Sequence, residues 1–285
     1  MHLKTFNFYQ YVKEKMPEKT RESFFYADHQ TYKNLRVDFP FRTTHFGIGI
    51  SYGVGLSKCR LGSIDYELSE GSLTTLGPGI VTSWDNGYDL KNETVFFTED
   101  LLHNLKIPNL STLPFFIHGG NHVLKVNKFE LNQLRVLFQN INTFRENKDV
   151  LPGLVYSLVQ LVQQIHMGTQ AENGFAPKEQ ITRKFKTLIA RHFIESKEVS
   201  FYAGLLHITP KYLSEVTISV TDKSAKELIN EHILLEAKSL LKQTDMTVSE
   251  IAYWLGYDEA SYFVRFFGKN AGKTPMEYRI GMEGG

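Results

Sequence analysis

The sequence predicts an α+β protein: an N-terminal β-barrel or jelly roll with a helical hairpin, then an all-α domain of two helix-turn-helix motifs joined by a linker helix. Three observations carry this. Short β-rich segments with turn residues between them fill residues 24–98, the apolar spacing then becomes helical, and a unit near Ala203 recurs near Ala252. With 285 residues, 42% hydrophobic, and 32 Lys+Arg against 31 Asp+Glu, the chain reads as globular, of two domains, without a polybasic tail. The single cysteine, Cys59, excludes an internal disulfide. "MHLKTFNFYQYVKEKMPEKT" has no apolar core of the kind a secretory signal needs, and no run approaches a membrane span. The expected location is therefore cytoplasmic, with no membrane partner.

In the β region, "HFGIGISY" alternates Phe46, Ile48, Ile50 and Tyr52 with small residues, "SIDYEL" and "TVFF" are β-rich, and "LGPG" at 76–79 is a turn. Many short strands at regular spacing point to a barrel or jelly roll. Thr98 is placed to cap a short helix.

Helical spacing begins with Leu131, Leu134, Leu137, Phe138, Ile141 and Phe144, and resumes after "NKDVLPG" with Leu154, Leu158, Leu161, Val162 and Ile165. Two apolar-faced helices joined by a short turn form an antiparallel hairpin over 129–166. Both helices can simply pack on the β region; Val155 and Val159, however, widen the second stripe beyond what one contact surface needs, which makes a dimer interface the other reading. "HMGTQAENGFAP" is polar and aperiodic, so 167–177 reads as a linker between a domain at 1–166 and another at 178–285.

The second domain is a duplication. Ala203, Leu206 and Ile208 recur forty-nine residues later as Ala252, Leu255 and Tyr257; after one inserted residue, Leu213 and Val216 match Phe263 and Phe266. Each unit reads helix, tight turn, helix. In the first, Thr209 and Pro210 mark a helix start, because the threonine hydroxyl accepts a free backbone N–H and proline lacks one at the next position. Leu213, Val216 and Val220 then form a buried stripe and leave Lys211, Ser214, Glu215 and Ile218 outward. In the second, Thr247 and Glu250 make a capping box, Gly256 ends the helix, and Asp258 is placed to cap the next one. On that helix Phe263, Phe266 and Phe267 face the core while Ser261, Tyr262 and Arg265 face out. "SAKELINEHILLEAKSLLKQ" between the units has its own capping box, Ser224 and Glu227, and an apolar stripe of Leu228, Ile229, Ile233, Ala237 and Leu241. At about 1.5 Å per residue, this spacer spans roughly 25 Å, enough to hold two helices near successive major-groove segments about 34 Å apart.

The runs "EIAYWLGYDEASYFVRFF" and "TPMEYR", within a stretch from Ile181 to Arg279, closely resemble the DNA-binding domain of the AraC/XylS family of bacterial transcription regulators. The resemblance implies a cupin-like N-terminal domain for effector binding or dimerisation, and "LGPGIVTSW" and "VFFTEDLL" look like pieces of such domains. It places Lys211, Ser214 and Glu215 on one base-reading helix and Ala260, Ser261, Tyr262 and Arg265 on the other. Arg265 and Lys211 can donate to guanine, Glu215 can accept from cytosine N4, and either serine can contact several bases. The partners implied are double-stranded DNA through its major groove, a second copy of the chain, a small-molecule effector and RNA polymerase; no cofactor is implied. Departures from the family pattern are Ile218 and Ser219 where a basic pair is common, Asp222 where glycine is usual, and Gly268 before Lys269 where two lysines are common. Each missing cation removes a phosphate contact, which makes binding depend more on dimerisation.

The alternative is a metal-dependent cupin enzyme, which needs histidines and a carboxylate converging on an open coordination position. His45 has no second histidine two residues away, Thr82 stands where such a site wants one, and His118 and His122 would suit a metal only on a helix, which "HGGNH" disfavours. Cys59 and Glu70 complete no ligand set, and neither a phosphate-cradling loop nor a nucleophile elbow is present. No metal site and no catalytic residue are therefore expected. Arg42, His45 and Trp84 are the candidate effector contacts, as the oriented polar or amphipathic groups of a barrel mouth.

Overall fold

The computed structural model describes residues 20–21, 23–34, 39–62, 64–85, 90–105, 109–117, 120–172 and 176–280; His118 lies outside them. Among the described residues, ten strands form two antiparallel sheets. The six-stranded sheet runs β1 (Thr20–Arg21), β2 (Phe24–Ala27), β9 (Lys91–Phe97), β4 (Phe46–Tyr52), β7 (Ser72–Leu76), β10 (Val123–Lys125). The four-stranded sheet runs β3 (Phe41–Arg42), β8 (Val81–Asp85), β5 (Ser57–Leu61), β6 (Ile64–Leu68). Strand β4 shows why they pack as layers. Its side chains alternate, so Phe46, Ile48 and Ile50 enter one core with Leu73, Val95 and Phe97, while Gly47 and Gly49 face the other way. The second core, between the sheets, holds Phe25, Phe41, Cys59, Leu61, Leu68, Leu76 and Phe96. Gly49 lies opposite Thr74 and Thr94, and a Cβ there would sit 2.5 and 2.8 Å from their hydroxyls, so the strands can pair this closely only around glycine.

A short helix α1 (His29–Asn34) follows β2; the hairpin is α2 (Lys128–Thr143) and α3 (Leu151–Glu172). Asn127 and Glu130 cap α2 reciprocally. The hairpin closes the open face of the six-stranded sheet, and this consumes the stripe expected to face a dimer partner: Val155, Leu158 and Val159 are all buried inside the monomer core. The stripe is wide because α3 packs against both α2 and the 3-10 turn at Glu99–Leu102. Helix α3 also continues through Glu172, six residues into the segment read as linker, since "MGTQAE" contains nothing that must stop a helix already running. At Thr98 a 3-10 turn, Glu99–Leu102, replaces the expected helix, and the threonine side chain makes no cap bond.

Seven helices complete the described chain: α4 (Pro177–His192), α5 (Val199–Leu205), α6 (Pro210–Thr221), α7 (Ala225–Gln243), α8 (Val248–Trp254), α9 (Ala260–Ala271) and α10 (Pro275–Ile280). The duplication is visible in the backbone. The turn between α5 and α6 passes through His207 at φ 54°, and the turn between α8 and α9 through Gly256 at φ 73°. In both, the following N–H closes on the alanine of the first helix: Ile208 N donates to Ala203 O and Tyr257 N to Ala252 O, each at 3.0 Å. Asp222 (φ 58°) and Gly272 (φ 71°) end the two second helices in the same left-handed conformation. Thr209, Ser224 and Thr247 cap their helices as the sequence predicts. Two expectations fail. Val220 is 38% exposed, because α6 turns Thr217 inward and is in its last turn by residue 220. Asp258 does not cap α9; Glu259 occupies the N-cap position and makes no side-chain bond.

Candidate nucleic-acid interface

The two helix-turn-helix units share one core, in which Leu213 of α6 and Phe263 and Phe267 of α9 pack with Ile229, Ile233 and Ala237 of the spacer helix α7. These anchors decide which faces remain outside. On α6, Lys211 and Glu215 are exposed and Ser214 is half-buried. Lys211 Nζ lies 4.0 Å from Glu215 Oε1, so this face largely neutralises itself. On α9, Ser261, Tyr262 and Arg265 are exposed, whereas Ala260 is half-buried against the core. The Arg265 guanidinium stacks 4.8 Å from the Tyr262 ring centroid and its Nε donates to Ser261 O at 3.4 Å. Such a guanidinium is free to fork onto a guanine edge, and its stacked partner limits the rotamers it must give up. The 19 residues of α7 make it about 28 Å long, close to the separation of successive major-groove faces.

Helix α7 is buried on a second face that the apolar stripe does not include. His232, Glu236, Ser239 and Gln243, at spacings of four, three and four, are all buried. Here strand β3 of the four-stranded sheet docks on the spacer. The Arg42 guanidinium pairs with the Glu236 carboxylate, and the Gln243 carboxamide bridges the Arg42 backbone, accepting from its N–H at 2.9 Å and donating to its C=O at 3.3 Å. Gln243 thus satisfies the open edge of β3. Trp254 of α8 adds a ring 5.6 Å from the Arg42 guanidinium carbon. Burial outweighs the arginine and pushes the Glu236 carboxyl above its ordinary range. This contact lies away from the exposed faces of α6 and α9, so docking leaves them open. The signal for it was four polar residues at helical spacing beside the apolar stripe, which is indistinguishable in sequence from a solvated face.

The three candidate effector contacts do not converge. Arg42 sits in the docking contact just described. Register puts Arg42 opposite Val81 and Cys59 opposite Trp84, so Arg42 and Trp84 point to opposite faces of the same sheet. His45 is buried at the entry to β4 in the other sheet, its Nδ1 3.0 Å from Thr44 Oγ1. Among the described residues, no three His, Cys, Asp or Glu side chains gather where they could hold a metal, and no helix is long and apolar enough to cross a membrane. Burial pushes the Cys59 thiol up to about 12, and His122 is buried with its Nδ1 3.3 Å from Phe115 O.

A family profile described as a helix-turn-helix domain matches residues 202–280. Among curated relatives, the uncharacterised HTH-type transcriptional regulator YijO of Escherichia coli is 32% identical over 120 residues, covering 42% of this chain and 40% of that protein. The HTH-type transcriptional activator RhaS of an Enterobacter species is 23% identical over 161 residues, covering 56% of this chain and 58% of that one. The chain therefore spans well under two thirds of these relatives. A solved structure, ToxT of Vibrio cholerae, aligns over 93% of this chain and all of that one at 15% identity with a TM-score of 0.39. The match to the helix-turn-helix profile and to these relatives falls on the duplicated C-terminal part of the chain, which is thus similar to the helix-turn-helix domain of bacterial transcription regulators.

Proposed function

We propose that the protein is a sequence-specific, DNA-binding transcription regulator and not an enzyme, with α6 and α9 entering successive major-groove segments of one duplex face. The observation that carries this is the paired geometry. Two copies of one motif are held on a single spacer helix, each presenting hydrogen-bonding side chains, Lys211, Ser214 and Glu215 or Ser261, Tyr262 and Arg265, on a face that is largely open among the described residues. The N-terminal domain, residues 1–166, serves effector binding and dimerisation in this reading, and the DNA-binding domain is 178–285. The dimer surface is the outer stripe of the hairpin, where Phe129, Val136 and Phe144 are 71%, 48% and 41% exposed, and not the inner stripe of Val155 and Val159. A small-molecule effector would act through the Arg42–Glu236 contact, by binding the docked and undocked arrangements unequally. RNA polymerase is the further partner of such a regulator.

Selection of random duplexes with the full-length protein tests this. Enrichment of a motif with two conserved segments about one helical turn apart is expected; enrichment of nothing beyond random sequence refutes the reading.

A further inference from the structure

The internal symmetry allows the two recognition helices to be compared position by position, and one position differs in kind. Lys211, Glu215 and Ile218 form the exposed stripe of α6; fifty residues on, the matching stripe of α9 is Ser261 and Arg265, both exposed, and Gly268, half-buried. Glycine in a helix interior is a poor choice, second only to proline. It is usually kept there because a neighbour inside the protein leaves no room for a Cβ. At Gly268 no such neighbour exists: a Cβ built there meets nothing within 4 Å. The cost of the glycine therefore has no origin in the protein's own packing. At the matching position of α6, Ile218 stands out with 48% of its surface exposed.

The charges divide in the same direction. Lys211 and Glu215 oppose each other on α6, while α9 carries Arg265 and Lys269 against Glu259 alone. We propose that the two helices engage DNA at unequal depth: α9 is the deeply seated helix, its backbone brought against the DNA sugar–phosphate chain at Gly268, while Ile218 holds α6 farther out. Glycine is the residue that lets a backbone approach a ligand this closely, and phosphate contacts of that kind fix the register of a helix in the groove. The inference rests on the DNA-binding reading and adds which helix leads and which residue permits it.

The test uses the full chain and a duplex enriched from the random library. Gly268→Ala should raise Tm by about 2 °C, because alanine favours the helix and the site has room. It should nevertheless weaken binding by about tenfold or more, as expected for lost backbone contacts. Ile218→Ala should change affinity by less than about threefold. Ethylation of individual phosphates should interfere most in the half-site under α9, and that interference should fade in Gly268→Ala. Unchanged affinity in Gly268→Ala overturns the proposal, as does a loss of affinity accompanied by a fall in Tm, which would mark a folding defect. Strongest interference under α6 overturns it too. If the wild-type protein enriches no duplex, the DNA-binding reading itself fails and takes this one with it.

Discussion

Arg42→Ala offers a quantitative probe of how the two domains hold together. It removes the guanidinium paired with the Glu236 carboxylate, which is 3% exposed and also lies 3.8 Å from His232 Nε2, while the Gln243 bridge, which uses only the Arg42 backbone, survives. The chain's cheapest local response is to protonate Glu236. From an ordinary value of 4.5, that costs about 3.4 kcal/mol at pH 7 and about 1.4 kcal/mol at pH 5.5, at 1.36 kcal/mol per unit. The first figure falls within the roughly 3–5 kcal/mol lost when one partner is stripped from a buried pair. The sign follows from burial, which raises the Glu236 pKa in the folded chain above its unfolded value. Its contribution is thus fully present below about pH 4.5 and is lost as pH rises through the raised value. Urea midpoints of the wild type and Arg42→Ala, compared at pH 7 and 5.5, measure this. The penalty should shrink on acidification by at most about 2 kcal/mol, because the wild-type carboxyl is itself raised, and adding Glu236→Gln should recover most of it at pH 7. A penalty independent of pH, or below about 0.5 kcal/mol at pH 7, would show that the pair is solvated and the domains dock by other means.

Arg265→Ala should lower affinity for the selected duplex and relax preference at one base pair by about 1–3 kcal/mol, with Tm unchanged because the side chain is exposed; equal losses on specific and random duplexes would reduce it to a phosphate contact. Lys211→Ala should cost less, since its charge is already shared with Glu215. Gly256→Ala should destabilise the C-terminal domain by about 3 kcal/mol, from left-handed strain plus collision with the Ile194 carbonyl; a Tm within a degree of wild type contradicts the turn geometry. Sedimentation of the full chain should show a dimer that Val136→Glu converts to monomer, and Val155→Ala should weaken folding by about 1–3 kcal/mol because its side chain lies in the monomer core. A Val136→Glu variant that remains dimeric removes the outer stripe as the interface.

Local chemistry determined most of what can be read directly from the sequence. Thr209, Ser224 and Thr247 announce helix starts because a cap is satisfied within three residues, and Gly256 announces a turn because few other residues tolerate its backbone. The duplication is legible because both copies solve the same packing problem with the same spacing. The β segments and the hairpin are legible from period alone. Tertiary structure decided what the second face of each helix meets. A wide apolar stripe such as Val155 and Val159 looks the same whether it awaits a partner or is covered by its own chain, and here it is buried in the monomer core. A polar stripe such as His232, Glu236, Ser239 and Gln243 looks like a solvated surface until an arginine two hundred residues away closes on it. Periodicity records that a face differs from its neighbours; only the assembled chain determines what covers it, because burial is a property of contacts far apart in sequence.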